Sequence, residues 1–241
     1  MVEKVSIRSL DGQNFDGFLH AAPVKPAPGL VMIPEIFGIN QPLREIAARY
    51  AGEGFPVLVL DIFWRLERGV DLGYDKESYR KAFDLHLAFD YPTAVKDMQA
   101  GITHLRGHSA CTGRVGVVGF CLGGTMAYLA AARTDADASV GYYGTRIQNF
   151  LAEGRKISRP LVLHFGERDH TTAEHMASIL PAIAGNPNVT SYVYPGVGHA
   201  FANHRRPDTY DERATRQADE RTFSFFRSRL NPSSRERTSA A

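Results

Sequence analysis

The chain is poor in features that mark several classes of protein. Its 241 residues include only two cysteines, Cys111 and Cys121, too few for the disulfide framework of a small secreted fold. The formal net charge is +2, so there is no strong field for nucleic acid or an anionic membrane surface. No segment approaches the roughly 18 apolar residues of a membrane span, and the N-terminus has no uninterrupted apolar run typical of a signal peptide. We therefore expect a cytoplasmic protein with reduced thiols that binds neither nucleic acid nor membranes.

Short apolar runs alternate with helix-like segments along the chain. The runs are rich in β-branched residues, which is typical of strands buried on both faces of a parallel sheet. The predicted strands are residues 29–33, 56–61, 115–120, 138–142, 161–165 and 190–194. The predicted helices are residues 43–52, 91–105, 123–133, 172–184 and 214–230.

This alternation predicts a mostly parallel central sheet with helices on both faces, joined by right-handed crossovers. We expect one α/β domain over residues 1–230 and a flexible tail over residues 231–241. Residues 63–89 are polar and aromatic and do not fit the alternation. They are interpreted as an excursion over the sheet edge, a usual place for substrate contacts.

One of the two cysteines lies in a Gly-x-Cys-x-Gly pattern directly after a predicted strand. The pattern, GFCLG around Cys121, matches the nucleophile elbow of α/β-hydrolases with Cys in place of Ser. The glycines relieve crowding at a sharp turn, and the following helix directs its N-terminus at the thiol. The amide of Leu122 would then face a developing oxyanion. The alternative is a buried structural cysteine beside packing glycines, whereas Cys111 lies in a turn-like stretch and is assigned no role.

A thiol nucleophile needs a base, and hydrolases of this fold supply an acid and then a histidine after the nucleophile. Asp169 follows the fifth predicted strand, and His199 follows the sixth after a Gly-rich turn. All three residues thus fall at the carboxyl ends of different strands, which meet at one edge of a parallel sheet. His170 is a rival base, and Glu167 and Glu174 are rival acids. The remaining histidines show no repeated metal-ligand spacing, so we expect no metal.

A carboxylate follows the first predicted strand, at Glu35 in the stretch IPEIFG. This loop position provides the second oxyanion amide in the fold, which here is Ile36. A carboxylate there would lie close to the nucleophile and could accept its proton or hold the thiol in a resting state. The alternative for Glu35 is an ordinary solvated loop acid.

Together these stretches resemble the dienelactone hydrolase family, also called carboxymethylenebutenolidases. The resemblance spans roughly residues 29–226 and rests on PEIFG (34–38), GFCLGG (119–124), GERDH (166–170) and GHAF (198–201). It implies an α/β-hydrolase fold without a cofactor. Cys121 would be the nucleophile, His199 the base, Asp169 its orienting acid and Glu35 the acceptor of the thiol proton. The amides of Ile36 and Leu122 would hold the oxyanion of an acyl-thiol reaction that opens an enol lactone.

The chain departs from the family where the substrate carboxylate is bound. In well-known members an arginine lies four positions after the catalytic histidine, but this chain has Asn203 there, with Arg205 and Arg206 slightly later. A second arginine in the excursion is matched by Tyr79, with Arg80 adjacent. The tyrosine one turn later is matched by Phe83. These six residues are the candidate substrate contacts, and each arginine could equally be an ordinary surface residue.

The leading hypothesis is a cysteine-dependent hydrolase of small esters or lactones, acting as a monomer or a small homo-oligomer. A general carboxylesterase with an uncharged substrate is the nearest alternative. A non-hydrolytic, redox-responsive thiol protein on the same fold is the alternative outside hydrolysis.

Overall fold

Eight strands form one sheet in the computed structural model, which describes residues 2–231. The strands are β1 (Val2–Arg8), β2 (Asn14–His20), β3 (Ala27–Ile33), β4 (Val57–Leu60), β5 (Cys111–Phe120), β6 (Ala138–Tyr142), β7 (Leu161–Gly166) and β8 (Val189–Tyr194). Their spatial order is β1-β2-β4-β3-β5-β6-β7-β8. Every neighbouring pair from β4 to β8 is parallel, which confirms the predicted sheet.

Five of the six α-helices in residues 2–231 lie in the connections between the parallel strands, and the sixth follows the last strand. They are α1 (Gln41–Gly52), α2 (Lys76–Ala88), α3 (Tyr91–Gly107), α4 (Leu122–Arg133), α5 (Met176–Ile183) and α6 (Glu212–Leu230). Within residues 2–231, none of them combines the length and apolar character needed to cross a bilayer. All five predicted helices are present, with ends shifted by a few residues. The predicted flexible tail lies, apart from Asn231, outside the described residues.

The two faces of the sheet are covered by different helices. A Cβ on Gly29 of β3 would lie 2.8 Å from Leu105 of α3. The next residue of β3, Leu30, pairs with Gly116 of β5. A Cβ on Gly116 would lie 2.8 Å from the Phe226 ring of α6. Because successive strand residues point to opposite faces, α3 and α6 lie on opposite sides. Helix α4 packs beside α3, and α1 packs on α6 through an edge-on ring pair 4.7 Å apart.

The sequence patterns did not predict the antiparallel hairpin of β1 and β2 at one edge of the sheet. β1 pairs with β2, and β2 pairs antiparallel with β4. In β1 the buried residues are Val5 and Ile7, separated by exposed polar ones. Such an edge strand lacks the continuous apolar run that marks the central strands, because only one of its faces is buried.

The excursion over residues 63–89 contains a helix that was not predicted. Asp75 begins α2 as its N-cap, because its carboxylate accepts from the backbone N–H groups of Glu77 and Ser78 at 3.0 Å each. Only Ala82 and His86 are buried along the helix. With so narrow a buried face, α2 shows little of the apolar periodicity from which a helix is predicted.

Candidate active site

The candidate functional side chains lie at the carboxyl edge of the parallel strands. Glu35 follows β3, Cys121 follows β5 and Tyr143 follows β6, while Asp169 and His199 follow β7 and β8. Strands that run parallel end on the same edge of the sheet, so groups far apart in sequence meet there.

Cys121 forms the turn between β5 and α4. Its backbone has φ 56° and ψ −113°, a conformation with positive φ that is costly for a residue with a Cβ. A Cβ on Gly119 would overlap the backbone of Gly123, and one on Gly123 would lie 2.8 Å from the carbonyl oxygen of Pro34. The turn therefore needs both glycines. It places Cys121 at the N-terminus of α4, where the positive end of the helix dipole faces its side chain.

Asp169 fixes the orientation of His199. The Nδ1 atom of His199 lies 2.8 Å from Oδ2 of Asp169. Thr171 donates to the other carboxylate oxygen from its backbone N–H at 2.8 Å and from its hydroxyl at 2.6 Å. Burial raises the pKa of Asp169, but the hydrogen bonds from His199 and Thr171 outweigh burial and hold that pKa below its usual value. The ionised carboxylate keeps the proton of Nδ1 directed toward it and leaves Nε2 for the reacting group.

The pKa of His199 reflects the proximity of Cys121. Burial lowers the pKa of the imidazole, but the negative charge on Cys121 and hydrogen bonds to Asp169 and Cys121 outweigh burial and raise it to about 10. A histidine with this pKa keeps its proton at neutral pH. The hydrogen bond between His199 and Cys121 shows that the imidazole and the sulfur are in contact.

Glu35 is a buried carboxylate held by neutral donors. The hydroxyl of Tyr143 donates to Oε1 at 3.1 Å, and Nδ2 of Asn203 donates to Oε2 at 3.1 Å. Asn203 also donates to the hydroxyl of Tyr74 at 2.7 Å. Burial and then the charge of Glu35 raise the pKa of Tyr143 far above its ordinary value and that of Tyr74 to about 12. Both phenols therefore stay protonated and can donate hydrogen bonds.

A cavity of about 250 Å³ joins these groups, with Glu35, Cys121 and His199 in its wall. Its size suits a small molecule rather than a polymer. Among residues 2–231, the backbone N–H of Ile36 donates to no backbone group. Leu122 is the first residue of α4, where a backbone N–H has no partner within the helix. A wider groove of about 840 Å³ lies beside α1 and α6, and its lining does not include Glu35, Cys121 or His199. The larger volume therefore does not mark the candidate site.

Comparison with known proteins identifies the family. Residues 15–230 match the model of the dienelactone hydrolase family. The chain belongs to this family. Carboxymethylenebutenolidase 1 of Cupriavidus pinatubonensis is 36% identical over 231 residues, covering 95% of this chain and 98% of that protein. The carboxymethylenebutenolidase of Pseudomonas putida is 35% identical over 229 residues, covering 94% and 96%.

A solved structure extends the comparison to the fold. The dienelactone hydrolase-like promiscuous phosphotriesterase from metagenomic libraries superposes with a TM-score of 0.74 at 20% identity, covering 95% of this chain and 99% of that one. This likeness supports the α/β-hydrolase fold. The family model and the curated relatives show a dienelactone hydrolase-like hydrolase of the ester or lactone type.

Three of the six residues predicted to contact substrate line the cavity of this family member. Tyr79 and Phe83 reach it from α2, and Arg206 reaches it from the loop before α6. The Arg206 guanidinium stacks over the rings of Tyr74 and Tyr79, at 5.6 and 5.8 Å from their centroids. Asp208 lies 3.6 Å from it.

The structure does not bring the other three to the cavity. Arg80 is exposed on α2, and Arg205 is held on the surface by an ion pair of 2.6 Å with Glu45. Asn203 occupies the position of the dienelactone hydrolase arginine, but it is 2% exposed and its amide is committed to Glu35 and Tyr74. The other polar atom of its side chain, Oδ1, accepts from the backbone N–H of Arg205, so neither end of the amide is free for a ligand.

The rival bases and acids lie outside the hydrogen-bonded set. His170 lines the cavity, but its ring stands edge-on to that of His199 with centroids 5.7 Å apart. Glu167 accepts from the backbone N–H of Gly196, and Glu174 is an exposed partner of His175. Neither glutamate reaches the imidazole that Asp169 holds.

Cys111 and Cys121 are both free thiols. Cys111 begins β5 and Cys121 follows its end. Since a strand rises about 3.3 Å per residue, the two side chains lie at opposite edges of the sheet. A bridge between them would require the sheet to come apart.

Among the residues that sequence reasoning missed are Tyr143, a buried partner of Glu35, and Arg146, which lines the cavity. Tyr143 binds Glu35 and stands edge-on to His199, with ring centroids 5.1 Å apart. Arg146 lines the cavity. The signal that could have found them is their place just after the fourth predicted strand, at the same sheet edge as the catalytic candidates.

Proposed function

We propose that the chain hydrolyses small carboxylic esters or lactones through an acyl-thiol intermediate on Cys121. The supporting observation is the arrangement around one cavity of a cysteine in a strained strand–helix turn and a histidine oriented by a buried carboxylate. This is the geometry of covalent acyl transfer, in which the nucleophile, base and orienting group act in series. Residues 1–230 would act as one catalytic domain.

In the first half-reaction, the thiol proton passes to Glu35 when substrate fills the cavity. The thiolate attacks the carbonyl carbon, and the amides of Ile36 and Leu122 stabilise the resulting oxyanion. The intermediate collapses as the imidazolium of His199 donates its proton to the leaving alkoxide. The acyl group is then bonded to sulfur, and a lactone would remain attached as an opened ring.

In the second half-reaction, neutral His199 takes a proton from water as the oxygen attacks the thioester carbonyl. The carboxylic acid product leaves, and the thiolate is regenerated beside the imidazolium. Glu35 then returns its proton to the thiolate, which restores the resting thiol. Tyr143 and Asn203 would hold the Glu35 side chain at the cavity wall during the cycle and keep it from moving toward solvent.

We take the substrate class from the relatives, whose name, carboxymethylenebutenolidase, describes an enzyme acting on a butenolide, an unsaturated lactone. An enol lactone such as dienelactone is therefore the first substrate to test. A simple uncharged ester is the alternative, because Asn203 replaces the family's arginine. A reducing compartment such as the cytoplasm suits a reaction that needs a free thiol.

The decisive experiment compares hydrolysis of cis- and trans-dienelactone and of p-nitrophenyl acetate. It uses wild type, Cys121→Ala and Cys111→Ala, the last as a control for loss of a thiol elsewhere. We expect turnover by wild type and Cys111→Ala, with no turnover by Cys121→Ala. Retained hydrolysis in Cys121→Ala would refute the covalent mechanism. Cys121-dependent hydrolysis of the acetate alone would keep the mechanism and replace the lactone with an uncharged ester.

The acyl-thiol itself can be trapped. In His199→Gln, water activation in the second half-reaction is lost, so we expect the acyl group to accumulate on the protein. Intact-protein mass spectrometry after mixing with p-nitrophenyl acetate would show the added acetyl mass, and peptide mapping would place it on Cys121. Acetylation of Cys111 or of a lysine instead would contradict the assignment. Rapid peroxide oxidation of Cys121 without hydrolysis would favour the redox-responsive alternative.

A further inference from the structure

The segment after β6 and helix α2 form one wall of the cavity, here called the β6 wall. It consists of Thr145, Arg146 and Gln148 from the segment and of His86 from α2. Arg146 has φ 62° and ψ 13°, in the left-handed region that a residue with a side chain adopts at a cost. Such conformations concentrate at functional sites, where the surrounding structure holds them. The β6 wall thus contains a strained turn beside Cys121, yet none of its residues takes part in the acyl transfer.

Thr145 is fixed to the nucleophile turn through its backbone, while its hydroxyl is left unpaired. Its N–H donates to the carbonyl oxygen of Cys121 at 3.3 Å, and its own carbonyl oxygen accepts from the hydroxyl of Thr125 in α4. Its Oγ1 is buried without a hydrogen-bond partner among residues 2–231. The nearby hydroxyl of Tyr91 pairs with Nε2 of His86 at 3.2 Å instead. The wall therefore holds a buried hydroxyl that the fold does not use.

Gln148 leaves a second buried oxygen unpaired. Its Oε1 forms no hydrogen bond among residues 2–231. The backbone beside it is anchored, because the carbonyl oxygen of Phe150 accepts from the Tyr128 hydroxyl of α4 at 3.0 Å. A buried polar atom without a partner lowers stability, and native proteins contain few of them. Of the five such side-chain atoms in residues 2–231, two belong to the β6 wall, so they are concentrated where a ligand would lie.

The unpaired atoms indicate which chemical group they would bind. Oε1 of Gln148 only accepts hydrogen bonds, whereas the Thr145 hydroxyl both donates and accepts. A carboxylate offers acceptors alone and would leave Oε1 unpaired. Burial, followed by the charge of Arg146, lowers the pKa of His86 to about 4, so its imidazole is neutral at neutral pH. A hydroxyl can donate to Gln148 while it accepts from Thr145 or Arg146, and it therefore matches the wall.

We propose that Gln148 and Thr145 bind a hydroxyl group on the acyl part of the substrate, so that this hydrolase prefers esters or lactones of hydroxy acids. The inference rests on the proposed function, because it names the substrate class of the same site. Position indicates the acyl part. Thr145 is hydrogen-bonded to Cys121, which would keep the acyl group, whereas the leaving oxygen would lie at His199. Both wall oxygens are covered by neighbouring atoms, so binding requires rotation about side-chain bonds of Gln148 and Thr145.

A matched pair of substrates isolates the hydroxyl. p-Nitrophenyl 3-hydroxybutyrate and p-nitrophenyl 3-methylbutyrate share a leaving group and a similar shape, and differ in a hydroxyl where the second has a methyl group. Both enantiomers of the hydroxy ester are assayed. Wild type is compared with Gln148→Met, which keeps a side chain of similar length without the amide, and with Thr145→Val. Gln217→Met is the control, because it makes the same change at an exposed position of α6 that does not line the cavity.

For wild type, we expect kcat/KM for the better enantiomer of the hydroxy ester to exceed that for the 3-methylbutyrate ester by about tenfold or more, mainly through KM. Gln148→Met and Thr145→Val should each lower this ratio by about three- to tenfold, since each removes one partner of the hydroxyl. Gln217→Met should leave the ratio unchanged. A ratio near one in wild type, or equal losses for both esters in the variants, would overturn the proposal.

Stability provides a readout that a purely structural role would move in the opposite direction. Because Oε1 of Gln148 has no partner in the folded chain, its removal breaks no hydrogen bond. We therefore expect Gln148→Met and Gln148→Leu to unfold at urea concentrations no lower than wild type. A clearly lower urea midpoint in both variants would show that this oxygen is already paired in the folded protein, and the proposal would fail.

A binding measurement separates this inference from the hydrolase mechanism. The p-nitroanilides of 3-hydroxybutyrate and 3-methylbutyrate are titrated by calorimetry into Cys121→Ala and into Cys121→Ala combined with Gln148→Met. We expect the first protein to bind the hydroxy anilide about tenfold more tightly than its partner, and the second to lose most of that preference. Equal affinities in Cys121→Ala would mean that water serves the wall as well as a ligand does, and would refute the proposal. A hydroxyl preference without any Cys121-dependent turnover would support the β6 wall and refute the proposed function alone.

Discussion

The glycine after the cysteine offers a sharp test of how the turn holds the site. In Gly123→Ala, the new Cβ would lie 2.8 Å from the carbonyl oxygen of Pro34 and still closer to that of Ile33. To reach an ordinary contact of 3.4 Å, backbone must move by about 0.6 Å or more. The hydrogen bond from the Gly123 N–H to the Pro34 oxygen, now 3.2 Å, would be strained or lost.

The magnitude follows from these contacts. Overpacking against backbone costs about 1–3 kcal/mol, and a lost backbone hydrogen bond adds about 0.5–1.5 kcal/mol. We therefore expect Gly123→Ala to lower the free energy of unfolding by about 2–4 kcal/mol. The shifted segment continues into Glu35 and Ile36, so kcat/KM should fall by about a hundredfold, the usual effect of a displacement near 1 Å.

Urea unfolding and ester hydrolysis measure the two effects on the same protein. Gly52→Ala is the matched control, because it makes the same substitution at the end of α1 with no atom within 4 Å of the new Cβ. We expect that control to be as stable and active as wild type. If Gly123→Ala behaved like Gly52→Ala in both assays, the reasoning that close backbone approach requires glycine here would be wrong.

Three further predictions concern the charged and hydrogen-bonded groups. His199 keeps its proton up to a pKa of about 10, so the reactive imidazolium is present below that pH and lost above it. Asp169→Asn should lower this pKa and move the alkaline limb of the kcat/KM profile to lower pH, and an unmoved limb would contradict the coupling. Tyr143→Phe removes a hydrogen bond to Glu35 and should lower kcat by about tenfold, and an unchanged kcat would mean that this contact does not serve catalysis. Arg205→Gln should leave kcat/KM within about twofold, since an exposed ion pair contributes little, and a large loss would return Arg205 to the binding site.

Local patterns predicted the central architecture. Continuous apolar runs identified the six parallel strands, because such strands are buried on both faces and leave a signal in every residue. The same patterns failed for β1 and β2, whose alternating burial carries half that signal, and for α2, which buries only Ala82 and His86. The pairing of an edge strand and the formation of a lightly packed helix depend on contacts with residues distant in sequence. A local sequence pattern does not contain those contacts.

The sequence by itself determined where the candidate catalytic residues lie. The two glycines around Cys121, the acid after β7 and the histidine after β8 follow from the steric needs of one turn and from the rule that parallel strands end at one edge. The sequence also determined the family, because the spacing within each motif and the order of the motifs along the chain are both properties of the sequence.

Only the tertiary structure decided which side chains face the cavity. Asn203 and Arg206 are three residues apart, yet one is buried against Glu35 and the other lines the cavity. Arg80 and Arg205 are directed to solvent or to a surface partner, whereas Arg146 enters the cavity from a strained turn. The physical reason is that the direction of a loop side chain depends on backbone dihedrals and on partners distant in sequence, neither of which a short pattern contains.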